Sequence, residues 1–364
     1  MKILYVDLER EWRGGQSQAL LTLKGLLQAG QKVELVAAKG SPLAERSRAA
    51  GISLHCVSRL GLRVLAARMI SRLVRGGEFE LVYLNEPHAL SAAWLAKAHK
   101  RSPLLLSRRI GFPLRGNRIS QARYAAVERF VANSRDVARS LTDSGIAAER
   151  ICIVNEGVEI PERLAPEART KARAAWGVRP EEFLFGCASV FTPEKGQRHL
   201  VDAMAKILPR FPVAKLLLAG DGKCREAVKG QARRFGIESS VLLLGFVKDV
   251  ETFYAALDAF VFPSEFEGLG TALQAAMAYG IPSISTARGA LAEVVEHKKT
   301  ALVAEPNGDE FAEAMIQLME NRELRERLGC AGRSEVQRRF SAERMVADTI
   351  AVCENVLRTW KSRD

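Results

Sequence analysis

The chain has 364 residues, 48 % of them hydrophobic, which is enough for two cores, and a formal net charge of +12. No apolar run reaches the roughly 18 residues of a membrane-spanning helix. The charge is uneven: residues 1–160 hold 25 Lys/Arg against 14 Asp/Glu, and the remainder holds 29 against 28. The first part therefore faces something anionic: a membrane surface, an anionic acceptor or nucleic acid. Aromatic residues are 7 % and do not interleave with the basic ones, which argues against nucleic acid. The six cysteines are scattered without a CxxC pair, so they read as reduced, mostly buried thiols and not as a metal site. The first residues form a strand without the apolar stretch and cleavage site of a signal peptide. The expected location is cytoplasmic, at the inner face of the plasma membrane if the basic half meets lipid.

In chain order, residues 3–6 are strand-like and 18–29 helical. Strands are predicted at 33–37, 53–57, 81–84, 104–106 and 130–132, with helices between them. Such alternation implies a parallel sheet covered on both faces, and ligands of such sheets bind beyond the carboxyl ends of the strands. Four loops follow. The loop after Val6 carries Arg13, Gly14 and Gly15 ahead of a helix, where backbone can approach a ligand closely and N–H groups stay free; it is not GxGxxG. The loop after Leu84 carries His88, placed to contact a reacting sugar or acceptor. The loop after Leu106 carries Arg108, Arg109, Arg115 and Arg118 with little acid, which reads as an anion-binding loop. The loop after Ala132 carries Ser134, a helix cap. Residues 59–75 form a basic amphipathic helix with Leu62, Leu65, Met69 and Leu73 at helical spacing. It reads as an ordinary surface helix that an anionic bilayer would also attract.

A charged, proline-bearing stretch at 161–175 sets the domain boundary near residue 165. A second alternation follows, with strands at 184–188, 215–219, 241–244, 259–262, 283–285 and 301–303. Lys195 and Gly196 stand at a strand-to-helix turn, a pairing suited to a diphosphate. Gly220 and Gly222 follow the next strand. After Phe262 come Glu265, Glu267 and the turn Gly268, Leu269, Gly270, then a helix from Thr271. Its free N–H groups suit phosphate, and the carboxylate beside them suits sugar hydroxyls. Arg288 and Gly289 form a further glycine turn opening a helix. The last stretch, 342–360, is one long helix.

The order and spacing of Gly14 and Gly15, Lys195 and Gly196, Gly220 and Gly222, Glu267 to Gly270, and Gly289 to Glu293 resemble family 4 glycosyltransferases of the GT-B fold, over essentially the whole chain. Segments 12–16 and 108–115 resemble bacterial members that build lipopolysaccharide or surface polysaccharide. The resemblance implies an α/β protein of two Rossmann-like parallel-sheet domains facing a cleft. Residues 1–165 would bind acceptor, with a terminal helix (about 345–364) packing back on them, and 166–344 would bind the nucleotide sugar. It implies sugar transfer with retention and without a metal or cofactor, from a UDP-sugar to an anionic glycolipid or saccharide at an anionic membrane. A DxD pair at a strand end, the mark of a metal-dependent transferase, is absent.

His88, Glu267 and Lys195 are then the catalytic set. Gly15, Gly196, Gly220, Gly268, Leu269, Gly270, Thr271, Gln274, Arg288 and Gly289 bind the donor, and Arg13, Arg108, Arg109 and Arg115 bind the acceptor or its anion. The family's two-glutamate motif places one glutamate at the sugar and a second, eight positions on, at the ribose; Glu267 takes the first place and Gln274 is read as the second. Val190 stands where the family often has an arginine. These two departures motivate an alternative, a catalytically weakened nucleotide-sugar binder; a nucleotide-sugar epimerase on the same fold is another.

Overall fold

The structure is a computed structural model that describes residues 1–114, 116–162 and 166–362. The chain divides into two compact units. The first comprises residues 1–157 with 342–364, and the second residues 158–341. The division falls between Gly157 and Val158, about eight residues ahead of the expected boundary near residue 165, because Val158 already hydrogen-bonds the Phe340 carbonyl and belongs to the second unit's core.

The first unit holds β1 (Lys2–Asp7), β2 (Lys32–Ala38), β3 (Ser53–Val57), β4 (Leu81–Leu84), β5 (Leu104–Arg108), β6 (Arg129–Ala132) and β7 (Ile151–Ile153). They form one parallel sheet in the order β3-β2-β1-β4-β5-β6-β7. Successive residues of a strand point to opposite faces. Accordingly Leu4 and Val6 enter one apolar layer while Ile3 and Tyr5 enter the other. The terminal helix Ala342–Lys361 is part of this unit, and its Val346, Cys353 and Val356 share a layer with Ala19, Leu23 and Leu26 of the helix Gly14–Gln28. Gly25 makes that approach possible, since a Cβ there would lie 2.2 Å from Val346 Cγ2.

The second unit holds β8 (Phe183–Ala188), β9 (Ala214–Ala219), β10 (Val241–Gly245), β11 (Ala259–Phe262), β12 (Ser283–Ser285) and β13 (Leu302–Val303), parallel and in the order β10-β9-β8-β11-β12-β13. Phe260 and Phe262 pack on one face, Ala259 and Val261 on the other. In both sheets the order reverses beside the first strand. That places a switch point at β1/β4 and another at β8/β11, where crossovers leave toward opposite edges and the loops splay apart.

Three local expectations change. Residues 166–175, read as linker, form a helix, Pro166–Ala175. The basic helix runs Leu62–Arg75, and its buried face is Ala66, Ile70 and Val74, with Leu65 at the surface. The Arg288–Gly289 turn opens a short 3-10 turn, Gly289–Glu293, instead of an α-helix.

Candidate functional site

In the second unit, the turns after β8 and β11 lie against each other. A 3-10 turn, Pro193–Lys195, ends at Gly196 with φ +68°, and the helix Gln197–Ile207 follows. A side chain at Gly196 would bring its Cβ within 2.4 Å of the Pro263 carbonyl oxygen, so only glycine allows the contact. Glu265 donates its N–H to the Glu194 carbonyl at 2.8 Å, which locks the two turns together. That lock sets Lys195 Nζ 2.6 Å from Glu267 Oε2 and 3.3 Å from the Phe266 carbonyl. Glu265 instead turns outward to His199, at 3.2 Å, and to Arg198.

Gly270 (φ +64°) brings the chain into the helix Thr271–Ala278, which begins with no side-chain cap and so leaves its first N–H groups to a ligand. Gly268 donates its N–H to Glu267 Oε1 at 3.3 Å, while Leu269 is fully buried. Gly220 sits at φ +127° with its N–H committed to the Gly245 carbonyl at 2.7 Å, so it shapes the turn and offers no donor. Arg288 is exposed and ion-paired to Glu305 at 2.6 Å.

Gln274 requires correction. Its side chain is 0 % exposed and its amide donates to the Leu269 carbonyl at 3.2 Å, so it is closed off from any ligand. It lies on the core stripe because Met277 and Ala278, three and four residues on, are both buried. The spacing corrects it as well, since eight positions past Glu267 is Ala275, whose methyl group has no hydrogen-bonding atom. Val190, in the place of the family's arginine, is 58 % exposed.

In the first unit, the switch point gathers a buried polar network that sequence reasoning passed over. Asp7, 0 % exposed at the end of β1, accepts from Gln16 Nε2 (3.1 Å) and Asn85 Nδ2 (2.6 Å), and Tyr5 donates its hydroxyl to Asn85 Oδ1 (2.8 Å). Burial pushes the Asp7 carboxyl up. Glu86 caps the helix Pro87–Leu95: it accepts from the N–H groups of Ala89 (2.7 Å), Leu8 (3.1 Å) and His88. Burial raises the Glu86 carboxyl to about 7, the neighbouring Asp7 charge adds to the shift, and the three N–H donors oppose it. The signal for this network was polar residues directly at the ends of two adjacent apolar strands.

Gly14 and Gly15 open their helix, Gly14 facing empty space and Gly15 with Arg109 Cδ 4.0 Å from its would-be Cβ, and their N–H groups have no intramolecular partner among the described residues. His88 is exposed at the start of its helix, its Nδ1 2.8 Å from Arg63 Nη2. The arginine loop does not gather as expected. Arg109 is enclosed, donating to the Asn85 carbonyl at 3.2 Å and pairing with Glu156 at 3.1 Å. Arg108 donates to the Phe112 carbonyl at 2.7 Å, Arg13 pairs with Glu11, and Arg115 lies outside the described residues. Exposed cations do converge elsewhere, with Arg10, Arg59 and Arg63 around His88.

Two family models match the chain in register with its two units: the one described as Glycosyl transferases group 1 at residues 168–335, and the one described as Glycosyltransferase Family 4 at residues 12–161. The N-acetyl-alpha-D-glucosaminyl L-malate synthase of Bacillus anthracis is 33 % identical over 195 residues, 53 % of this chain and 51 % of that protein. The lipopolysaccharide core biosynthesis mannosyltransferase LpsB of Rhizobium meliloti is 25 % identical over 251 residues, 66 % and 71 % of the two chains. The chain thus spans about half the length of the first of these relatives. Anabaena HepE, solved in complex with UDP and glucose, superposes with a TM-score of 0.85 over 97 % of this chain and 99 % of that one, at 21 % identity. With both models matched and both parallel sheets in place, the chain belongs to the family 4 glycosyltransferases of the GT-B fold.

Proposed function

We propose that this protein is a retaining glycosyltransferase that moves a sugar from a UDP-sugar to an anionic saccharide or lipid acceptor. The observation that carries the reading is the Lys195–Glu267 pair, 2.6 Å apart at the switch point of the second unit and flanked by an uncapped helix N-terminus. One cation and one carboxylate in contact suit the two ends of a nucleotide sugar. The diphosphate takes Lys195 and the backbone N–H groups, and the sugar hydroxyls take Glu267. The bond from C1 to the diphosphate oxygen breaks, and charge accumulates on the leaving UDP, where Lys195 stabilises it. The acceptor hydroxyl attacks C1 from the same face and its proton passes to the departing phosphate. His88 positions the sugar. The HepE complex with UDP and glucose supports the donor class, and LpsB supports a cell-surface acceptor.

The acceptor end belongs to the first unit, which holds 29 Lys/Arg against 17 Asp/Glu, the whole net charge of the protein. Its cavity of about 790 Å³ lined by Arg68, Arg75, Lys97, Lys100 and Arg101 supports docking on an anionic membrane. Among the described residues, no helix is long and apolar enough to cross a membrane.

A panel of UDP, GDP and ADP sugars tests the reading. A UDP-sugar is turned over, and Lys195→Ala and His88→Ala each lose at least 100-fold in kcat with an unchanged Tm, within the range set by loss of one charge-stabilising group. Near-normal turnover in both variants overturns it. Val190 and Ala275 favour one second reading, a nucleotide-sugar binder of little activity, which tight UDP-sugar binding without turnover would establish.

A further inference from the structure

We propose that Arg10, Arg59 and Arg63 form a subsite for an anionic oxygen-bearing group, phosphate or carboxylate, on the acceptor, beside His88. Three segments build it. The loop after β1 supplies Arg10, and the loop between β3 and the helix Leu62–Arg75 supplies Arg59. Arg63 and His88 stand in the first turns of two neighbouring helices. All four line one cavity of about 490 Å³, within the range that encloses small ligands.

The guanidinium groups of Arg10 and Arg59 are held by carbonyls, not by carboxylates. Arg59 donates to the carbonyls of Lys39 (3.2 Å) and Gly40 (2.8 Å), and its own carbonyl accepts from Arg10 Nη2 at 2.9 Å. Among the described residues none of the three has an ion pair, unlike Lys195. The one acid in the lining, Glu9, accepts the Arg10 backbone N–H at 2.8 Å. Three like charges fixed around a cavity repel one another unless an anion enters, and each guanidinium keeps donors to receive it. Arg63 adds a second feature. A guanidinium has no acceptor, so the 2.8 Å contact makes His88 Nδ1 the acceptor and leaves the neutral ring's proton on Nε2. The anion site thereby fixes the tautomer of the histidine next to it.

The inference deepens the sugar-transfer reading and rests on it only for the word acceptor. The experiment titrates glycerol 3-phosphate, succinate and neutral glycerol into the full chain and into Arg10→Gln/Arg63→Gln, with UDP as a parallel arm. Both arginines are exposed, so the variant folds, and its Tm verifies this. The expected result is binding of at least one anion but not glycerol, weakened by salt and at least tenfold weaker in the variant relative to UDP. Preference for glycerol 3-phosphate assigns a phosphate, and preference for succinate assigns a carboxylate. No anion binding to the wild type, an unchanged affinity in the variant, or an equal loss of UDP affinity overturns the subsite; the last would hand these arginines to the donor's diphosphate. Anion binding of the expected kind in a protein that binds no UDP-sugar would sink the transfer reading and leave the subsite standing.

Discussion

Glu86 makes the clearest single-residue prediction. It ties the loop after β1 to the helix carrying His88 through three backbone N–H groups, yet it sits beside the buried Asp7 carboxylate. Its folded-state carboxyl is raised from 4.5 to about 7. A raised carboxyl binds more protons folded than unfolded, so its burial weakens the fold as pH rises from about 4.5 to about 7. Between pH 5 and 8 the loss is on the order of 2–3 kcal/mol. Burial shifts Asp7 in the same direction. Glu86→Gln keeps the shape, carries no charge and removes this contribution. Its Tm relative to wild type is therefore expected to rise by roughly 5–10 °C from pH 5 to pH 8, for a unit of this size. Parallel Tm curves for the two proteins would show that Glu86 does not titrate in this range.

The glycine turns between strands and helices set the second unit's geometry, and two glycines close in sequence are expected to behave oppositely. Gly220 lies at φ +127°, where a Cβ would sit 2.0 Å from the Ser189 carbonyl oxygen. The backbone conformation alone costs a larger residue about 1–3 kcal/mol, and the overlap must also displace the end of β8. Gly230 lies inside the helix Arg225–Arg234 with nothing within 4 Å of its would-be Cβ. Gly220→Ala is expected to lower Tm by several degrees or more, and Gly230→Ala to stabilise by about 0.5–1 kcal/mol. Equal Tm values for the two variants would contradict the turn geometry.

These elements also show what the sequence makes legible. Parallel strands buried on both faces read as unbroken apolar runs, so most strands stand out. β7 does not, because its apolar run is only three residues long, too short to be told from a turn or a helix end. The helix Pro166–Ala175 hides behind two prolines, Pro161 ahead of it and Pro166, which here only starts it. Lys195 and Glu267 are found through spacing and turn chemistry, which are local. Gln274 is misread although its core-facing position shows in the helical period of Leu273, Ala276 and Met277. The trio around His88 draws on two loops and a helix start far apart in the chain, so only the strand order reveals it.

At the scale of the molecule the decisive asymmetry is charge. Residues 158–341 hold 25 Lys/Arg and 25 Asp/Glu, so the other unit carries the entire +12. Part of this excess is local. Arg68, Arg75, Lys97, Lys100 and Arg101 line one cavity without an acid, and among the described residues none of the five has an ion pair. Val64 and Leu95, 56 % and 54 % exposed, lie in the same lining, so apolar groups stand among the cations. A surface of that make-up gains from both parts of a bilayer: lipid phosphates attract the cations and the acyl boundary takes the apolar groups. Each basic residue near an anionic surface contributes about 1 kcal/mol. Arg68→Gln, Arg75→Gln and Lys97→Gln together should therefore cost about 3 kcal/mol, roughly a hundredfold in partition onto vesicles rich in phosphatidylglycerol. Binding of the unaltered protein should fall steeply between 50 and about 300 mM salt as the Debye length shortens, and neutral phosphatidylcholine vesicles should retain little of it. Turnover of a water-soluble acceptor should be much less affected than vesicle binding, because none of the three residues lines the cavity around His88. Sedimentation with vesicles measures the partition, and equal partition of the triple variant and the wild type would remove the membrane from the account of the charge.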